Sequence, residues 1–160
     1  MSRLTAIALA IIGAAVALFL VAVIVLAAAS AQTGTITALD GDTVISNGKT
    51  YRLIGFDVPE PGDRAECEAE RALGEKAKAR LRTLINRGGV ELTEVRCACL
   101  SGTQGTWFCN GGRSCAILKV RGRDVGSILI REGLARPFAC WKYQCPMRQS
   151  WCRVQYSSGP

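Results

Sequence analysis

The sequence predicts a β-rich α+β domain, a small barrel of five short strands with two to three helices, preceded by an N-terminal hydrophobic helix. Three observations carry that reading: an uncharged run from Leu4 to Ala29, two regions whose residues alternate as in β-strands, and one amphipathic helical stretch between them.

The uncharged run spans 26 residues. That exceeds the ~7 to 15 residues of a signal-peptide core, and a helix rising ~1.5 Å per residue over such a length crosses a bilayer with some tilt. Ala29-Ser30-Ala31, directly before Gln32, is also the small-x-small pattern that signal peptidase accepts, because only small side chains fit its subsites. Residues 1–31 are therefore either a single transmembrane anchor or a signal peptide cleaved after Ala31. Both readings send the following domain outward, since Arg3 and the amino terminus stay on the cytoplasmic side. The expected location is membrane-anchored outside the cytoplasm, or periplasmic or secreted after cleavage.

Residues 32–160 suit one domain with a modest core. We divide them into a barrel domain, 32–138, and a tail rich in cysteine and tryptophan, 139–160, packed on it. They hold 19 of the 20 basic residues and all 13 acidic ones, a net charge of +6. That surplus suits a polyanion such as nucleic acid, or an anionic membrane surface. All eight cysteines lie beyond the export segment, and an even count in an oxidising compartment favours disulfides. A zinc site on Cys97, Cys99, Cys109 and Cys115 is the weaker alternative, since there is no histidine and the pair of C-x-x-C knuckles is missing.

Across 33–56, β-formers such as Thr35, Thr37, Val44, Ile45, Tyr51 and Leu53 alternate, with turns expected at Asp40-Gly41 and Asn47-Gly48. Glycine and asparagine tolerate the positive φ of tight hairpin turns, so a three-stranded meander is expected. Pro59 and Pro61 remove backbone donors and make 58–64 a loop. A helix follows, with Ala69, Leu73, Ala77, Leu81, Leu84 and Ile85 on the apolar face. Glu68, Glu70, Glu75, Lys76, Lys78 and Arg82 fill the other face, and Gly88-Gly89 ends the helix. Residues 90–96 and 115–120 read as the fourth and fifth strands, and 125–132 as a short helix closed by Gly133. Between the last strands lies a glycine-rich loop whose nested cysteines suggest a staple from Cys97 to Cys115, with Cys99 to Cys109 inside it. Five strands with a helix between the third and fourth follow the order of an OB-type barrel, which often presents a face to nucleic acid.

The chemistry concentrates near the strand ends. Asp40-Gly41-Asp42-Thr43 alone is ordinary hairpin sequence, but Tyr51-Arg52-Leu53 and Asp57-Val58-Pro59-Glu60 add an arginine and two carboxylates at neighbouring strand ends. Crowded carboxylates raise one another's pKa unless a cation offsets them. Calcium suits such a set, because it accepts carboxylate and carbonyl oxygens at flexible geometry. Arg52 suits a phosphate, which a guanidinium can grip through two oxygens.

These elements, with Gly112-Arg113 ahead of Ala116-Ile117-Leu118, and Gly133-Leu134-Ala135, occur in an order that closely resembles the staphylococcal nuclease (thermonuclease) family. The resemblance covers most of 33–138. It implies an OB-type barrel, calcium-dependent hydrolysis of DNA and RNA phosphodiesters, and nucleic acid as substrate. It makes Asp42, Asp57 and the Val58 backbone carbonyl the calcium ligands. Glu60 would position or deprotonate the attacking water, with Arg52 and Arg113 flanking the scissile phosphate. Where the family usually has an aspartate and a tyrosine before the second arginine, this chain has Cys109-Asn110-Gly111-Gly112. Where a tyrosine usually follows the Gly-Leu-Ala element, it has Phe138, Ala139, Cys140 and Trp141. Those changes bear on rate, base preference and cleavage direction. Trp107, Trp141 or Tyr143 are the candidate stacking platforms, with core packing as the competing role for each. A monomer is favoured. The alternative functions are a catalytically weak or inactive nucleic-acid-binding module of the cell envelope, and a disulfide-stapled structural protein.

Overall fold

The computed structural model describes residues 35–141 and 143–152. The expected anchor or signal segment, 1–31, lies outside them. Among the described residues no helix is long and apolar enough to cross a membrane.

The fold is mixed α+β. Its strands are β1 (Ile36–Ala38), β2 (Thr43–Ser46), β3 (Lys49–Leu53), β4 (Gly55–Asp57), β5 (Val90–Val95), β6 (Ser114–Val120), β7 (Arg123–Asp124) and β8 (Arg136–Phe138). The two α-helices are α1 (Glu68–Asn86) and α2 (Val125–Arg131). A five-strand path, β1-β2-β3-β6-β5, curls into a half-barrel, with β7 appended to β6. Every pairing along it is antiparallel except β3 with β6, which is parallel.

The expected meander forms, with one break. At Asn47 and Gly48 the φ values are 51° and 75°, the doubly positive turn that matches strand twist in a tight hairpin. The third strand, expected as one run, divides at Ile54. Gly55 adopts a φ of 95°, and the chain leaves β3 to pair as β4 with β8 in a separate two-stranded ribbon. This ribbon, β7 and the 3-10 turn Gly62–Arg64 within the expected loop were not legible as elements. Strands of two or three residues are too short to show a period.

The core sits between the curled sheet and both helices. Val44, Leu53, Ala116 and Leu118 meet Ala77, Leu81 and Leu84 of α1 and Val125, Ile128 and Leu129 of α2. The expected apolar face of α1 needs one correction: Ala69 is exposed, whereas Glu70, assigned to the solvent side, is buried with Gly74. The inward stripe runs 70, 74, 77, 81, 84, a helical spacing in which an acidic residue takes an inward place. A second correction concerns Gly41. Its φ is not positive; glycine serves there because a Cβ would lie 3.0 Å from Ala77 Cβ and 3.2 Å from Val58 Cγ2.

The eight cysteines pair as Cys67–Cys152, Cys97–Cys115, Cys99–Cys109 and Cys140–Cys145. The nested staple is therefore found, and the four thiols weighed for zinc are consumed in it. Cys97, Cys109 and Cys115 form a small core of their own under the long loop. Such a loop has little apolar surface to bury, so closing it covalently limits its unfolded freedom instead.

Helix α1 is tied to the end of α2 by Arg80, whose Nε and Nη2 donate to the Glu132 carboxylate at 2.7 and 2.6 Å. Those hydrogen bonds hold the Glu132 carboxyl below its ordinary range. A depressed carboxyl contributes stability above its unfolded pKa and loses it as pH falls through the folded value. The pair is partly exposed, so a double-mutant cycle of Arg80→Ala and Glu132→Ala is expected to give a coupling of at most about 1 kcal/mol. Denaturation at neutral pH and in acid checks this: the coupling disappears in acid, and a pH-independent value refutes the assignment.

Candidate active site

Sheet register brings the central residues together. Thr43 of β2 lies opposite Arg52 of β3, and Arg52 lies opposite Cys115 of β6, two residues after Arg113. Asp42 immediately precedes β2, and its carbonyl accepts the Leu53 N–H at 2.7 Å. Asp57 ends β4, with Val58 directly after it. The parallel pairing of β3 with β6 thus carries Arg113 to the same sheet end as two carboxylates distant from it in sequence.

Arg52 is the hub. Its Nη1 lies 2.8 Å from Asp42 Oδ2, and its Nη2 lies 3.5 Å from Asp57 Oδ1. Both aspartates are 4% exposed. The Thr43 hydroxyl donates to Asp42 Oδ1 at 2.9 Å and accepts from Arg113 Nη1 at 3.4 Å. Arg113 is itself aimed by its Nε, which donates to the Asn110 carbonyl at 2.8 Å. Burial pushes the Asp42 carboxyl above its ordinary range, although Arg52 and the Thr43 hydroxyl pull the other way and Glu60 and Asp40 add to the rise. Burial rather than unpaired negative charge is thus the main cause of the rise.

Glu60 stands at the rim, its side chain 27% exposed. Its Oε2 is 3.4 Å from Arg64 Nη2 and its Oε1 is 3.2 Å from Arg148 Nη1; Arg64 also pairs with Asp40. The backbone beneath is fixed by buried Glu70, which accepts from the Glu60 N–H at 3.2 Å and the Glu66 N–H at 2.8 Å. Gly74 permits the approach of α1, since a Cβ there would lie 2.6 Å from the Glu60 carbonyl carbon and oxygen.

Asp42, Arg52, Asp57, Val58, Glu60 and Arg113 thus gather at one place. The donor set fits a hard divalent ion: two buried carboxylates and the Val58 carbonyl are oxygen ligands of the kind calcium accepts. Asp57 Oδ1 is buried and has no aligned hydrogen bond, although guanidinium nitrogens lie within 3.5 Å of it. A buried acceptor left in that state retains a lone pair for a ligand.

The three aromatic candidates are more dispersed. Tyr143 lines a groove of about 510 Å³ that also reaches Arg52, Arg96 and Phe138. Trp107 is exposed on the stapled loop beside Gly111, and Trp141 is exposed in the tail, where its backbone pairs with Gln144. Neither tryptophan is among the residues lining that groove.

Four residues at the site escaped the sequence reading: Arg64, Glu70, Arg148 and Trp151. Trp151 Nε1 donates to Asp57 Oδ2 at 3.5 Å and Arg148 Nη2 to the Val58 carbonyl at 3.1 Å. Glu70 alone left a signal, as the acidic member of the inward stripe on α1. The others arrive through long-range contacts without a local pattern.

Because Gly74 leaves no space for a methyl against backbone atoms, Gly74→Ala is expected to destabilise the fold by about 1–3 kcal/mol. Glu70→Gln, which sets an amide donor against a backbone N–H, is expected to cost about 1–3 kcal/mol. Chemical denaturation midpoints check both, and unchanged midpoints would refute the tight packing beneath Glu60.

No model of a known protein family matches the sequence. The chain is similar to Endonuclease YncB of Bacillus subtilis (strain 168), with 36% identity over 103 residues, covering 62% of this chain. The match spans 44% of that protein's length, so this chain corresponds to less than half of the curated relative.

Proposed function

We propose that the chain is a calcium-dependent nuclease of the staphylococcal type, hydrolysing phosphodiester bonds of DNA, RNA or both outside the cytoplasm. The observation that carries this reading is the convergence of Asp42, Arg52, Asp57 and Arg113, with Glu60 joined to Asp57 through Arg148, from four separate stretches of chain. Similarity to a protein named an endonuclease supports the reaction class. The curled sheet and the helix between its strands are consistent with an OB-type barrel. Four disulfides favour an oxidising compartment, and the run from Leu4 to Ala29 supplies an export signal or an anchor.

Asp42, Asp57 and the Val58 carbonyl would hold calcium, which supplies Lewis-acid polarisation of a phosphoryl oxygen when bound. Arg52 and Arg113 approach the same corner, so two guanidinium groups can bind the phosphate and stabilise the charge that develops on it. Glu60 is more exposed than either aspartate, which suits a carboxylate that orients a water from solvent and takes its proton at Oε. For that role it must leave at least one of its two arginine partners.

Chelator-sensitive hydrolysis of single-stranded DNA by the purified chain is the expected result, and its absence would sink the proposal. Glu60→Gln should lower kcat by about 100- to 10,000-fold, the usual range for a lost general base. Binding of the same DNA should change little. A binding module without turnover is the competing outcome, favoured by the engagement of Glu60 with Arg64 and Arg148. Salt-sensitive DNA binding with no cleavage at any calcium concentration would select it.

A further inference from the structure

We infer that Arg148 is the tail-borne counter-cation of the acidic site, and that divalent-cation binding and docking of Arg148 exclude each other. The inference rests on the proposed cation reading of Asp57 and the Val58 carbonyl. It concerns Arg148, a residue that the cation reading itself does not use.

The geometry is specific. Arg148 places Nε 3.0 Å from Asp57 Oδ1, Nη1 3.2 Å from Glu60 Oε1 and Nη2 3.1 Å from the Val58 carbonyl oxygen. One guanidinium thus spans two of the three oxygen groups of the proposed cation site and the carboxylate assigned to the water. The neighbouring Arg52 reaches Asp42 and Asp57 but neither Val58 nor Glu60 in the contacts it makes. Asp57 Oδ1 remains without an aligned hydrogen bond despite both arginines. Arg148 therefore forms a close ion pair with an oxygen that a coordinating ion would also take.

The tail is held so that this contact recurs. Cys152 is bonded to Cys67 at the start of α1, four residues beyond Arg148. Trp151 donates to Asp57 Oδ2, and Arg136 of β8 stacks on its ring at 3.7 Å from the centroid. Arg136 Nη1 also donates to the carbonyls of Gln149 and Ser150 at 3.2 and 3.1 Å. A covalent tether of this kind keeps the local concentration of the guanidinium high. With the side chain of Arg148 still 47% exposed, its release requires rotation of one long side chain rather than unfolding of the tail.

An ion coordinated by both Asp57 Oδ1 and the Val58 carbonyl would take the two oxygens against which Arg148 places Nε and Nη2. By linkage, Arg148 weakens cation binding by the same factor by which the cation weakens Arg148 docking. The outcome is a raised cation threshold: the site turns over to the ion only when the external concentration overcomes the internal arginine.

Calorimetric titration of calcium into the chelator-stripped full chain tests this. Arg148→Gln is expected to tighten calcium binding about tenfold, within the range usual for coupled sites. Arg148→Lys, which retains charge without the planar fork, should fall between it and the wild type. Cys67→Ser/Cys152→Ser, which leaves Arg148 in place but loosens its tether, should also tighten binding. Equal affinity in wild type and Arg148→Gln, or weaker affinity in the variant, overturns the competition while leaving the proposed cation site standing. Absence of calcium binding to every form overturns both.

Discussion

Two aspartates are buried at one end of the sheet, and nearly everything around them is arranged to make that burial tolerable. An isolated carboxylate removed from water is costly unless hydrogen bonds and opposite charge replace its hydration. Arg52 answers first, because the register of β3 sets it opposite Thr43 and between Asp42 and Asp57. Thr43 and Arg113 extend the network from the other side. Compensation remains incomplete: Asp42 is still pushed toward its neutral form by burial, and one oxygen of Asp57 has no aligned donor. Such residual electrostatic stress characterises functional sites more than packing ones.

The rim segment bearing Glu60 is built differently, from close backbone contact rather than charge pairing. Gly41 lets the turn before Asp42 press on Ala77 and Val58, and Gly74 lets α1 touch the backbone of Glu60 and Pro61. Glu70 then ties the Glu60 and Glu66 amides to the helix. A single helix face therefore sets the height of both the β1–β2 turn and the Glu60 segment. Since interiors are close-packed, their separation leaves little room to drift.

Disulfides take over where apolar burial is thin. The long loop between β5 and β6 has a cysteine core in place of aliphatic side chains, and its ordering orients Asn110, which in turn aims Arg113. The tail is likewise fixed by Cys67–Cys152 and by Arg136, and it delivers Arg148 and Trp151 to Asp57. The covalent framework thus belongs to the site as much as to stability.

Much of this is legible in the sequence. The strands of the meander, the long helix and the last long strand follow from periodicity and turn chemistry, whereas nested cysteines suggest the two staples of the long loop without fixing them among the possible pairings. Asp42, Arg52, Asp57 and Glu60 could be singled out because they lie on short elements adjacent in sequence, between residues 42 and 60. The parallel pairing of β3 with β6, which brings in Arg113, left no local mark in the sequence. Nor did the division of the third strand at Gly55 or the approach of Arg64 and Arg148. Local sequence determines which backbone conformations and which buried faces are cheap. Only tertiary folding decides which distant side chains meet, because those contacts depend on sheet register, helix height and where a bridge anchors the tail.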